Sequence, residues 1–203
     1  MGLSTVSFRS AVAADADSVA ALHADSWRRH YRGAYADAYL DGDVLTDRRT
    51  LWSSRLAAPG ADRVTILAEA EAGAEAGAGA EVGAEVGVGT GIVGFVHVVL
   101  DDDERWGSLV DNLHVTRGRQ RHGIGTGLLT RAARAVRDQG ATAAMYLWVL
   151  EQNTAAQDFY AAHGGKPAER GFARSPGDVP GRLNGRPAKL RYVWPDVRDL
   201  LRG

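Results

Sequence analysis

Residues 111–136 read DNLHVTRGRQRHGIGTGLLTRAARAV, and no other stretch restricts the fold as tightly. The segment opens on an alternating apolar run and passes through Arg-rich turn residues. It then places Ile124, Leu128, Leu129, Ala132, Ala133 and Val136 at helical spacing. The order is therefore strand, loop, helix. Gly123, Gly125 and Gly127 mark the loop-to-helix junction. Glycines there let backbone N–H groups approach a ligand, and the helix N-terminus adds partial positive charge. Such a junction suits phosphate oxygens. Arg117, Arg119, Arg121, Arg131, Arg134 and Arg137 add charge, with no acid from Thr116 to Arg137. The stretch reads as a diphosphate cradle; the plainer alternative is a turn beside a solvated Arg face. A Walker loop is excluded, since no lysine lies near these glycines, and their spacing does not match a dinucleotide fingerprint.

A chain of 203 residues, 45% of them hydrophobic, can build a real core in one domain. The net charge of -1 gives no reason to expect nucleic acid or an anionic membrane as partner. With no cysteine, disulfides, thiolate metal sites and a Cys nucleophile are excluded, and no metal site is expected. No apolar run has the length of a membrane span, and the N-terminus lacks the pattern of a secretory signal. A soluble cytoplasmic protein is the expectation.

Along the chain, Val6 to Val12 alternates as a first strand, and Asp15 and Asp17 open a helix that runs to about Tyr31. A second helical section, in one or two pieces, covers Asp37 to Leu56, and Arg63 to Ala68 is a strand. Residues 69–89 contain only Ala, Gly, Glu and Val, with five Glu and no base. Such composition buries too little apolar surface to offset its ordering entropy, so a low-complexity loop insertion is expected there. Ile92 to Leu100 and Trp106 to Val115 are strands around a solvated Asp101–Glu104 turn. Met145 to Leu150 is a buried strand, Asn153 to His163 a helix, Gly171 to Ala173 a short strand, and Ala188 to Trp194 the last strand before a polar tail. Strict strand–helix alternation is absent, which predicts a mixed sheet in an α+β fold of αβα layers.

Three runs carry a resemblance. Gln120-Arg-His-Gly123-Ile-Gly125 resembles the Q/R-x-x-G-x-G/A signature of the GNAT superfamily of N-acetyltransferases, and Leu113-His-Val115 resembles that family's strand end. Asn153-Thr-Ala-Ala156-Gln-Asp-Phe159-Tyr160, followed by Gly164-Gly165, is similar to its N-x-x-A-x-x-F/L-Y…G pattern. The resemblance spans essentially the whole chain and implies one GNAT domain over residues 1–203. It implies a mostly antiparallel sheet of about seven strands with about four helices, the two central strands at Gly107–Val115 and Met145–Val149 splaying into a cleft.

It further implies acetyl-CoA as cofactor and direct transfer of acetyl to a primary amine in a ternary complex. The cofactor-binding residues would be Leu113, His114, Val115, Arg121, His122, Gly123, Gly125, Thr126, Asn153 and Tyr160. Backbone N–H at the end of the Leu113–Val115 strand would stabilise the oxyanion, and Tyr160 would protonate the departing thiolate. Asn153 also suits a helix cap, and Tyr160 a core position. Asp111 and His114 are the candidate bases, with relay through water as the alternative. Strand alternation puts Asp111 with Leu113 and Val115 on one face, and Asn112 with His114 on the other.

The acceptor would be recognised by the N-terminal helices, where Trp27, Tyr31 and Tyr35 either wall a pocket or pack against the sheet. The stretch around Ser26-Trp27 and Tyr39-Leu40-Asp41 resembles one common in uncharacterised GNAT members. A small-molecule amine is the leading acceptor and a peptide amine, through protein N-terminal or lysine acetylation, the runner-up. A non-catalytic acyl-CoA-binding sensory module is the reading from another class. The resemblance also admits a homodimer.

Overall fold

The computed structural model describes residues 6–70 and 91–202. Its strands are β1 (Val6–Ser10), β2 (Arg63–Ala70), β3 (Gly91–Asp103), β4 (Gly107–Val115), β5 (Met145–Leu150), β6 (Lys166–Phe172) and β7 (Ala188–Trp194). They form one seven-stranded sheet in the order β1-β2-β3-β4-β5-β7-β6. Every neighbouring pair is antiparallel except β4 and β5. The helices are α1 (Ala16–His30), α2 (Asp37–Asp41), α3 (Val44–Ala57), α4 (Ile124–Gln139), α5 (Thr154–Ala162) and α6 (Val197–Arg202).

The sheet divides two apolar layers. On one face α4 inserts Ile124, Leu128, Leu129 and Val136 against Val96, Val98, Val110, Met145 and Leu147. Leu128 and Leu129 are fully buried, each removing side-chain surface from water at roughly 1.5–3 kcal/mol. On the other face Val19, Ala20 and Leu22 of α1 meet Trp52 and Leu56 of α3 over Leu67 and Phe95. Ala24, Trp27, Tyr35, Leu40 and Val44 continue that layer toward Leu150. The arrangement is the αβα sandwich expected.

Several boundaries differ from the sequence reading. Glu69 and Ala70 belong to β2, where Glu69 pairs with Ile92 in the sheet and accepts a hydrogen bond from Arg9 of β1 at 2.8 Å. Satisfying that carboxylate inside the sheet edge is what the composition of the segment could not reveal. The remainder of the expected insertion, residues 71–89, lies outside the described residues. Six α-helices among the described residues replace about four, because the helical section at 37–57 is split at Gly42 and the polar tail folds as α6 on buried Val197. Asp101 to Asp103 extend β3, with Asp101 and Asp102 exposed as expected, and the turn falls one step later at 104–106. The Asp101 carboxylate accepts from the Ala141 N–H at 2.9 Å, and Asp102 accepts from the Tyr146 hydroxyl.

Candidate active site

The site begins where two strands part. β4 and β5 pair only at Ser108–Met145 and Leu109–Tyr146. Gly107 sets up that contact: its φ is +78°, and a β-carbon there would stand 2.2 Å from the Ala144 carbonyl oxygen. Beyond Leu109 the β5-facing backbone groups of β4 have no strand partner, leaving donors and acceptors open along a cleft.

The cleft runs toward the start of α4. Gly123 is its N-cap residue at φ 77°, a left-handed conformation that costs glycine little. The Gly127 N–H bonds the Gly123 carbonyl at 2.9 Å, so the Ile124, Gly125 and Thr126 N–H groups precede the first intrahelical bond and point outward. No atom lies within 4 Å of a β-carbon built on Gly123. A β-carbon on Gly125 would instead touch the Phe159 ring at 3.3 Å, and one on Gly127 the Phe8 ring at 2.6 Å. Thus Gly127 serves packing. The arginines also divide. Arg131 stacks 3.5 Å over Phe8 and donates to the Gly127 carbonyl, and Arg137 pairs with Asp138 at 2.7 Å. Arg117, Arg121 and Arg134 are exposed near the helix start or on its surface, with no ion pair among the described residues.

α5 closes the other wall. Its N-cap Asn153 accepts from the Ala156 N–H at 3.3 Å. His163 Nδ1 donates to the Phe159 carbonyl at 2.7 Å, so its Nε2 is left to accept from Thr126 Oγ1 at 2.9 Å. That bond ties the end of α5 to the first turn of α4. Tyr160 is buried, with Tyr192 and Trp194 at ring distances of 6.1 and 6.2 Å. Burial raises its pKa, so the hydroxyl keeps its proton at neutral pH.

The alternation expected along β4 fails at Asp111. The β3 register jumps from His97–Asn112 to Val98–Val110, which leaves Asp111 as an extra, bulged residue. Asp111 and His114 consequently face the same side, toward α1 and α3, while Leu113 and Val115 pack on the α4 side. Asp111 Oδ2 accepts from Arg55 Nη1 and Asn112 Nδ2, both at 2.7 Å. His114 Nδ1 lies 2.8 Å from Ser26 Oγ, and its ring is 4.8 Å from that of His23. Desolvation first, then His30 and Arg48, lower the His114 pKa to about 3 against the opposing pull of Asp111. At neutral pH its imidazole is uncharged but a weak proton acceptor.

Trp27 lies in the core behind the tyrosines, under the Arg48 guanidinium at 4.3 Å, and lines neither of the two clefts that follow. Tyr31 and Tyr35 stack at 5.1 Å and line a cleft of about 220 Å³ with Trp148 and Lys189. A larger cleft of about 690 Å³ adjoins it, lined by Asp102, Asp111, Tyr146, Trp148, Arg174 and Lys189 among others. Burial raises the Tyr31 pKa, with Tyr35, Tyr160 and Asp111 adding to the shift. The Tyr31 hydroxyl thus feels the residues of both walls. Ser26, Trp148, Arg174 and Lys189 were missed in the sequence. Lys189 and Arg191 alternate with apolar residues along Ala188–Trp194, a signal for Lys189, whereas Met145–Leu150 is apolar throughout and carries none for Trp148.

A model of the acetyltransferase (GNAT) family matches residues 25–164, more than half of the chain, and the chain belongs to that family. The uncharacterized N-acetyltransferase YuaI of Bacillus subtilis (strain 168) is 25% identical over 200 residues, covering 96% of each chain. The fold is similar to that of the PaiA N-acetyltransferase from Thermoplasma acidophilum, solved with coenzyme A, with a TM-score of 0.65 and 16% identity over 94% of this chain and 99% of that one. It is also similar to Arabidopsis thaliana NAA60, solved with a bisubstrate analogue, with a TM-score of 0.64 and 16% identity over 94% and 98% of the two chains.

Proposed function

We propose that this protein is a cytoplasmic single-domain enzyme that transfers acetyl from acetyl-CoA to a primary amine, taken first to be that of a small molecule. The observation that carries the reading is the parting of β4 from β5 after Leu109 and Tyr146, in front of the free N–H groups of α4 and beside Tyr160. The residues fit the cofactor. Free amides at Ile124, Gly125 and Thr126, and open space over Gly123, suit a diphosphate, with Arg121 and Arg117 near enough in sequence to add charge. Acetyl-CoA supplies an activated acyl group: the amine nitrogen bonds the thioester carbon, the C–S bond breaks, and one amine proton leaves as the sulfur gains one.

The chain's own residues divide that work. Backbone N–H groups of β4 between Asp111 and Val115 hold the thioester arm, taking the place of a β5 partner. Asn153 fixes the first turn of α5 and so positions Phe159 and Tyr160. Tyr160, protonated and buried, gives its proton toward the sulfur. His114 Nδ1 is held 2.8 Å from Ser26 Oγ and its ring packs on His23, whereas Asp111 lines the larger cleft, which favours Asp111, or a water bound to it, as the acceptor of the amine proton.

Calorimetric titration with acetyl-CoA, then thiol release with a panel of amines, amino acids and peptides, tests the reading. Saturable binding with turnover on a small amine supports it. Turnover only on peptides moves the acceptor class to proteins, and absence of binding removes the cofactor and the reading with it.

A further inference from the structure

The larger cleft is unequal in charge. Lys189 is half-buried on β7, with its Nζ 4.1 Å over the Trp148 ring. It has no hydrogen bond or ion pair among the described residues. Arg174, exposed just beyond β6, has none either, and the two side chains line both clefts. A third cation, Arg191, is stacked 4.6 to 4.8 Å from Trp148, Tyr146 and Trp106. Of the nearby acids, two flank Arg191 and a third, Asp102, lines the cleft. Glu169 lies 3.2 Å and Asp103 3.7 Å from Arg191. Asp102 holds the Tyr146 hydroxyl.

Burial lowers the Lys189 pKa, with Arg174 and Arg191 adding to the effect and Glu169 opposing it. An ammonium partly desolvated beside two guanidinium groups is a cost to the fold unless something negative is to lie there. A stack of Lys189 on Trp148 would explain its stem but leaves its charge uncompensated. Two strands away, across the β5 floor of Tyr146 and Trp148, stands Asp111, a carboxylate of the same cleft that Arg55 holds through Oδ2 and whose Oδ1 has no partner among the described residues.

Building on the acetyltransferase reading, we propose that the acceptor is a small zwitterion whose anionic group seats on Lys189 and Arg174 while its amine lies toward Asp111. An amino acid has this chemistry. So does an aminoalkyl phosphonate, which offers the same pairing of amine and anion. A carboxylate fits a point charge such as Lys189 and a forked guanidinium such as Arg174 at once.

The test compares kcat/KM for free amino acids, their carboxamides and aminoalkyl phosphonates. The expected result is a preference for the acids over the carboxamides of about 10- to 100-fold, carried in KM, the range of a charge-assisted hydrogen bond. A preference for the phosphonates larger than that for the carboxylates would identify a phosphate-like anion as the better source. Lys189→Met should collapse the acid-to-amide ratio toward one, and Lys189→Arg should keep most of it. Arg174→Gln gives a second reading should Lys189→Met fold poorly. Carboxamides turned over as well as acids, or a ratio unmoved in both variants, would overturn the zwitterion while leaving the acetyltransferase standing. Acetyl-CoA binding without turnover of any zwitterion overturns it too. A protein that does not bind acetyl-CoA loses both.

Discussion

Trp52 Nε1 donates a hydrogen bond of 2.9 Å to His23 Nδ1 inside the layer between α1 and α3. The bond requires an unprotonated Nδ1, so His23 carries its proton on Nε2, which has no partner. His97 is equally buried, with Nδ1 2.7 Å from Thr65 Oγ1 and Nε2 unpartnered. Burial holds the His23 pKa well below its ordinary value of 6.5 and lowers that of His97 to about 4. The unfolded chain therefore binds more protons below pH 6.5. Stability should be flat above pH 7 and fall as pH drops through 6.5 toward 5, by up to about 1.4 kcal/mol per pH unit for each histidine. Urea midpoints from pH 7.5 to 5 check this, in a window above the carboxylate range. A constant midpoint would mean that these rings are solvated.

Gly123 allows a substitution that separates charge from conformation. At φ 77° with open space beyond it, Asn is among the residues that tolerate the backbone. Gly123→Asn should therefore keep acetyl-CoA affinity within about tenfold. Gly123→Asp places a carboxylate against the proposed diphosphate and should cost at least a further 10-fold, since like charges at contact are worth more than 1.4 kcal/mol in a poorly solvated site. Equal affinities for the two variants, measured by calorimetry, would remove phosphate from this loop.

Much of this architecture was legible because it rests on local patterns. The helical spacing of Ile124, Leu128, Leu129 and Val136 and the glycine junction gave α4 and its free amides, and Asn153 announced the start of α5. What stayed hidden depends on distant partners. The Asp111 bulge exists only in register with His97 and Val98, so alternation set Asp111 and His114 on opposite faces. Trp27 looks like a pocket aromatic until Arg48 and Tyr39 cover it. Lys189 gains meaning from Arg174 and Trp148, which come from different strands or loops.

Tyr160 makes no hydrogen bond among the described residues, and its ring is held by Phe159, Tyr192 and Trp194. Phe fills the same volume, so Tyr160→Phe should leave the melting temperature within a few degrees. Its kcat should fall by about 10²- to 10⁴-fold, with acetyl-CoA affinity near that of the native enzyme. Single-turnover measurement is needed so that product release does not mask the chemical step. An unchanged single-turnover rate would make Tyr160 a packing residue.

Asp111 and Arg55 offer the sharpest separation of roles. The 2.7 Å bond from Arg55 fixes the bulged carboxylate through Oδ2 and leaves Oδ1 without a donor among the described residues. If that carboxylate takes up the amine proton, directly or through water, Asp111→Asn should lower kcat by about 10²-fold or more. Arg55→Met should act on the same step through position alone. The carboxylate would still be present but free to rotate, so the loss in kcat should be smaller, about 10-fold. The partly exposed ion pair itself contributes only about 0–1 kcal/mol, and both variants should fold. Equal losses in kcat for the two variants would show that the carboxylate only braces the bulge, and the proton would then leave through solvent.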